Sequence, residues 1–319
     1  MASAWQASTV AGRAPHAVML SGSPGVGKRS LAAWIVRERL ALTPANALPV
    51  FPAEPPEHPD LYWLRPPEGK RTISIDQIRQ LVADLSLTSH GRRGKIAVIE
   101  PADAMTSNAS NSLLKTLEEP PGDTLILLIA DRAGRLPATV LSRCQRLNVT
   151  APAELASLAW LGKLQPATNW GAALSLVGGA PLAAIAAQER VAHTAAMARD
   201  FGAIAEGRAS PIDTAARWAK DDPEFVLGWI VRQVQRCIHR VSGTAPDATD
   251  LGVSETVLNR IDRRNLFCYL DIINGLRGQP AGTFNVQLTL ESLLIDWARG
   301  LVRCGQRFNP EVSLPSGAG

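Results

Sequence analysis

The stretch HAVMLSGSPGVGKRS, residues 16–30, decides the fold. His16 to Ser21 is a short apolar run that reads as a buried strand. It ends in Gly22-Ser23-Pro24-Gly25-Val26-Gly27-Lys28, and a helical stretch to about Leu40 begins at once. Strand, glycine-rich loop and helix N-terminus together aim backbone N–H groups at an anion, and the helix dipole favours negative charge there. Gly22, Gly25 and Gly27 give the loop its freedom, and Lys28 is placed to reach outer phosphates. The residue after the lysine should carry a hydroxyl for magnesium. It is Arg29, which has no acceptor atom. Ser30 comes one residue late, about 100° around the helix.

Outward from this loop, strands and helices alternate to about residue 150. Leu61 to Leu64 is a second strand candidate, and Ile75, Ile78, Leu81, Val82 and Leu85 recur at helical spacing. Lys95 to Glu100 is a third strand. Ser107 to Glu119 is a helix stopped by Pro120 and Pro121. Thr124 to Ala130 is almost wholly apolar, as expected of a strand buried on both faces, and Gln145 to Val149 is a fifth strand. Such alternation implies a parallel sheet with helices on both faces. Residues 41–60 read as a Pro- and Ala-rich loop. Beyond residue 151 only helices are expected. Ser210-Pro211 and Asp222-Pro223 have the form of helix starts, the second leading to Val241, and a last amphipathic helix runs over 285–301.

The third strand leads into Glu100-Pro101-Ala102-Asp103. Glu100 sits where an aspartate is usual for magnesium. Pro101 sits where a catalytic glutamate belongs, and it cannot act as a general base. Asp103 is displaced in sequence and expected to face elsewhere. At the end of the fourth strand Ala130 offers no hydrogen bond to water, and the charge on Asp131 would repel a phosphate. Hydrolysis needs magnesium, placed water and charge stabilisation together, so nucleotide binding through Lys28 stays open while hydrolysis is not expected.

The chain has 319 residues, 46% of them hydrophobic, and a net charge of +4. That supports a sizeable core and two or three domains. The charge permits nucleic-acid contact without requiring it. No apolar run spans a bilayer and residues 1–13 lack a signal-peptide pattern, so a cytoplasmic protein with no membrane partner is expected. Cys144, Cys237, Cys268 and Cys304 are far apart. They read as reduced thiols, and neither disulfides nor a metal site is expected.

Leu136-Pro137-Ala138-Thr139-Val140-Leu141-Ser142-Arg143-Cys144 and Asn111-Ser112-Leu113-Leu114-Lys115-Thr116-Leu117-Glu118-Glu119-Pro120-Pro121 carry a resemblance. With His58-Pro59-Asp60 and Ile75-Asp76-Gln77-Ile78-Arg79, they resemble the AAA+ clamp-loader family of bacterial DNA replication. The resemblance implies an AAA+ P-loop domain over 1–150, a small helical lid over 151–205 and an all-helical collar over 206–319. It implies that Arg143, within Ser142-Arg143-Cys144, acts in trans as an arginine finger on a neighbour's ATP site. Its hydrolysing members, of gamma and tau type, keep Ser or Thr after the loop lysine and an acidic pair on the third strand. They also keep a lid arginine, which would fall near Leu182 or Ala183. This sequence keeps none of these, which selects the non-hydrolysing delta-prime type.

The implied partners are gamma/tau-type subunits, a delta subunit, a sliding clamp and primed DNA. No cofactor is required, although ATP, ADP or an anion at the loop stays open as an occupant. Many members carry four cysteines before His-Pro-Asp as a zinc module. Residues 40–60 carry none, so no zinc is expected. The alternatives are an active gamma/tau-type ATPase, a stand-alone P-loop nucleotide-binding protein and a simple nucleic-acid-binding module.

Overall fold

The computed structural model describes residues 15–42, 51, 54–91, 93–166, 168–243, 252–279 and 284–302. Residues 1–14, half of the 41–60 loop, Cys304 and the C-terminal tail lie outside them. The chain forms two compact units, Met1–Gln188 and Glu189–Gly319.

The first unit is built on strands β1 (Ala17–Ser21), β2 (Leu61–Leu64), β3 (Lys95–Ile99), β4 (Thr124–Ala130) and β5 (Gln145–Asn148). They form one sheet in the order β2-β3-β4-β1-β5, with every pairing parallel. The three central strands are almost wholly buried, whereas β5 exposes Gln145, Arg146 and Asn148 at an edge. Polar side chains on an edge strand discourage further pairing.

Alternation along the strands divides the core into two layers. Val18, Leu20, Ile96, Val98, Leu125, Leu127 and Ile129 pack with helix α1 (Lys28–Arg39) through Leu31, Trp34 and Ile35. The opposite face, with Met19, Ala97, Ile99, Ile126 and Leu128, packs against α2 (Ile75–Ser86) and α3 (Ser107–Glu118). A Ser74–Gln77 capping box opens α2, which ties two of the helix's free N–H ends. A one-turn helix, α4 (Ala138–Leu141), leads to β5. Three helices follow: α5 (Glu154–Leu164), α6 (Trp170–Leu176) and α7 (Pro181–Ala187).

The second unit is helical throughout its described residues. It comprises α8 (Val191–Ala205), α9 (Pro211–Trp218), α10 (Pro223–Val241), α11 (Glu255–Leu258), α12 (Arg263–Arg277) and α13 (Val286–Ala298). Ser210 Oγ accepts from Asp213 N–H at 3.3 Å, and proline occupies the first position of α9. The division at Gln188 falls inside the stretch 151–205, and α8 packs among the helices that follow it. Trp297 of α13 stacks on Phe201 of α8 with ring centroids 4.2 Å apart, and its indole N–H donates to Phe201 O at 3.0 Å. Trp229 meets Phe201 edge-on, and Tyr269 Oη donates to Leu293 O at 2.8 Å.

Trp297 is almost fully buried, so truncation removes packing and the indole hydrogen bond to Phe201 O. Trp297→Ala is expected to destabilise this unit by about 3–5 kcal/mol. Urea unfolding followed by far-UV circular dichroism checks this.

Candidate nucleotide and arginine-finger sites

In a parallel sheet the carboxyl ends of all strands share one edge, and ligands bind there. Because β4 lies between β1 and β3, Gly22, Asp131 and Glu100 follow neighbouring strand ends. The glycine loop is closely packed. A Cβ on Gly22 would stand 2.1 Å from Val149 O, and one on Gly25 would stand 2.4 Å from Ala183 N. Gly25 O accepts from Leu182 N–H at 3.0 Å. The place expected for a lid arginine, Leu182 or Ala183, therefore lies directly on the loop.

Lys28 is 5% exposed. Its ammonium donates to Gly22 O at 2.6 Å and Ser23 O at 2.7 Å, and stands 2.6 Å from Asp131 Oδ1. An ammonium has three protons, and here each has an acceptor within the protein. Asp131 thus neutralises the loop's cation as well as occupying a place where its charge repels phosphate. Asp103 does not turn away as expected, because its Oδ1 accepts from Asp131 N–H at 3.0 Å. It fastens the end of β4 that carries Asp131.

The magnesium position is likewise filled by protein charge. Arg29 Nε lies 3.9 Å from Glu100 Oε2. The same oxygen accepts from Trp63 Nε1 at 2.8 Å and Arg65 Nε at 2.9 Å. Guanidinium groups thus stand around the carboxylate that would face a metal. Among the described residues, no group of three or more His, Cys, Asp or Glu side chains could hold a metal ion.

A cavity of about 230 Å³ adjoins the loop, lined by Val26, Gly27, Phe51, Ser157, Trp160 and Leu182 among others. Its apolar walls have the character of a site for a flat ring. Ser157 is 2% exposed, and its hydroxyl has no hydrogen-bond partner there.

Arg143 lies beyond α4, one residue before Cys144. Its Nε donates to Glu118 Oε1 at 2.6 Å, Nη2 pairs with the same oxygen, and Nη1 donates to Thr139 O at 2.9 Å. Ser142 Oγ donates to Thr139 O at 3.1 Å. The side chain is 33% exposed, so the guanidinium is held in place with part of its surface open. Cys144 points into the core, and burial pushes its thiol up to about 11 against the opposing charge of Arg146. Within the motif only Arg143 presents reactive charge outward.

Sequence reasoning identified Lys28, Asp131, Glu100 and Arg143 but not their partners. Ser157, Trp160 and Phe51 had no motif to mark them.

A parallel sheet whose first strand feeds a glycine loop that opens a helix is the architecture of a P-loop domain. Its cation and acidic positions are committed to internal ion pairs. Residues 1–153 match the family model described as "DNA polymerase III, delta subunit". The chain is 39% identical over 188 residues to the DNA polymerase III subunit delta' of Pseudomonas aeruginosa, covering 56% of this chain and 57% of that one. It is 35% identical over 190 residues to the Escherichia coli delta' subunit, covering 56% of each. With the E. coli tau subunit it shares 30% identity over 146 residues, 44% of this chain and 22% of that one. The chain resembles the delta-prime subunit of the bacterial DNA polymerase III clamp loader. The match spans a little over half the length of the delta-prime relatives.

Two outcomes follow. Asp131→Asn releases a competitor for Lys28, so nucleotide affinity in the isolated protein should rise about tenfold or more, read by isothermal titration with ATP. The second concerns Cys144 and Cys237, whose thiols burial pushes up to about 11 and about 12 from an ordinary 9.0. An acid group with a raised folded pKa holds its proton more tightly in the native state. This contribution is therefore complete below about pH 9 and is lost as pH rises through about 11 for Cys144 and about 12 for Cys237. Site-resolved alkylation at pH 8 should be far slower in native than in unfolded protein at both cysteines.

Proposed function

We propose that this chain is a non-hydrolysing clamp-loader subunit acting in DNA replication. It joins gamma/tau-type subunits and a delta subunit in a cytoplasmic complex that places a sliding clamp on primed DNA. In this reading residues 1–150 form the AAA+ core, 151–205 the lid and 206–319 the collar through which subunits associate. The core presents Arg143 to the ATP site of a hydrolysing neighbour.

One observation carries the reading. Lys28, the residue that would hold the outer phosphates, is bound to two backbone carbonyls and Asp131. Arg29 and Arg65 surround Glu100 at the metal position. A site so arranged has no place for magnesium between hydroxyl and carboxylate, and phosphoryl transfer depends on that ion. This opposes the gamma/tau-type ATPase reading. The similarity to delta' subunits supports the same choice, as does the position of Arg143 outside its own loop. Arginine suits action in trans because it stays charged and offers a planar fork of donors. Among the described residues no single helix is long and apolar enough to cross a membrane.

The test is ATP hydrolysis by a reconstituted loader, stimulated by clamp and primed DNA. The chain alone should be silent. Arg143→Ala should slow the complex by about an order of magnitude or more. Glu118→Gln, which loosens the hold on Arg143, should slow the complex less than Arg143→Ala does. An unchanged rate with Arg143→Ala removes the finger role, and turnover by the chain alone overturns the non-hydrolysing assignment.

A further inference from the structure

The cavity beside the glycine loop is lined by Gly27 and Ser30 but not by Lys28 or Asp131. Helices α5 and α7 wall it with Ser157, Trp160 and Leu182. Gly22 and Gly25 are hemmed in by backbone, whereas a Cβ on Gly27 would meet nothing within 4 Å. The loop is thus closed at its first two glycines and open at the third, the one that lines the cavity.

Ser157 is the polar handle of this space. It is 2% exposed, and its Oγ makes no hydrogen bond. A hydroxyl inside a helix often returns to a carbonyl one turn back. Ser86 and Thr194 do so, to Val82 O and Val191 O. Ser157 does not, although its backbone N–H donates to Ala153 O at 3.0 Å. Among the described residues it is the one hydroxyl left buried without a partner. That state is unfavourable, and a ligand atom in the cavity relieves it.

The other walls are largely apolar. Phe51 meets Trp160 edge-on, with ring centroids 5.7 Å apart. Aromatic walls with one hydrogen-bonding group suit a flat heteroaromatic ring. Size sets one limit. A volume of about 230 Å³ is below the roughly 300–1,000 Å³ of sites for drug-sized ligands, so the cavity holds a ring and little more. Charge sets another. The Lys28 ammonium already has three acceptors within the protein, one of them Asp131. Phosphates attached to the ring gain no free ammonium there and face a carboxylate.

We propose that this cavity binds an uncharged purine, as free base or nucleoside, in preference to the corresponding triphosphate, with Ser157 Oγ hydrogen-bonded to a ring nitrogen. The order of affinities is the reverse of that in a working phosphate loop, where the phosphates add to binding. The inference rests on the reading that the phosphate and metal positions are filled from within.

The experiment is calorimetric titration of the full chain with adenine, adenosine and ATP at fixed ionic strength. Adenine or adenosine should bind saturably, about tenfold or more tighter than ATP. Ser157→Ala should weaken that binding about fivefold, the loss of one hydrogen bond. Ser157→Leu, which fills the cavity, should abolish it. Asp131→Asn should narrow the preference by strengthening ATP. Binding of adenine alone confines the site to the free base, and binding of adenosine as well extends it to the nucleoside; either outcome keeps the proposal. It is overturned if neither binds, if ATP binds wild type as tightly as adenosine does, or if both Ser157 variants bind like wild type. Circular dichroism confirms folding, and Ser157→Ala carries the test should Ser157→Leu not fold. The two readings fail separately. Absence of purine binding removes this role of the cavity alone, whereas ATP turnover by the chain alone removes the non-hydrolysing assignment.

Discussion

The ion pair between Lys28 and Asp131 is the constraint around which the first unit's chemistry is arranged. A buried ammonium must have acceptors for its protons or lose its charge. In a working phosphate loop a nucleotide provides some of them. Here Gly22 O, Ser23 O and Asp131 provide all of them. The loop can therefore keep the fold of a nucleotide site in the absence of nucleotide. The same logic applies at the metal position. Arg29 and Arg65 give Glu100 the positive charge that a cation would otherwise supply. At both positions the charge is met by groups of the protein itself.

These compensations depend on topology. Lys28 and Asp131 are remote in sequence and meet only because β1 lies beside β4, with Ser21 in register with Ala130. Glu100 reaches the same edge because β3 flanks β4 on the other side, with Ile99 in register with Leu128. The central strands can stand there because both of their faces are apolar and covered by helices. Asp103 adds a local brace by accepting the Asp131 amide. The sheet thus determines which charges can neutralise which.

The same dependence explains what could be read from sequence. Strand and helix limits follow from local signals. Leu61–Leu64 and Thr124–Ala130 agree residue for residue, because apolar runs there are bounded by proline, glycine or polar residues. Arg29 and Pro101 were legible as defects, since each residue's chemistry is fixed whatever surrounds it. Partners were not legible. Asp131 could be judged hostile to phosphate, but its pairing with Lys28 requires the β1–β4 adjacency. The orientation of Asp103 was misread for the same reason. Ser157 and Trp160 belong to no motif, and only the packing of their helix beside the glycine loop brings them to one cavity with Gly27.

Arg143 shows how a donor residue can be stored without being spent. Glu118 comes from the end of α3 and holds the guanidinium by Nε and Nη2, while Thr139 O takes Nη1. An isolated arginine of this length would lose much side-chain entropy on being fixed by a neighbour. Held in advance, it loses less. The hold is on a half-exposed carboxylate, so solvent screening keeps it weak. A polyphosphate in a closed interface offers more negative charge in a drier setting, where the same fork binds more strongly. If Arg143 acts in trans as proposed, the pairing with Glu118 orients it beforehand and would yield to a more anionic, better-desolvated acceptor. A stronger, fully buried pair would have trapped the residue, and no pair would have left it to search at random.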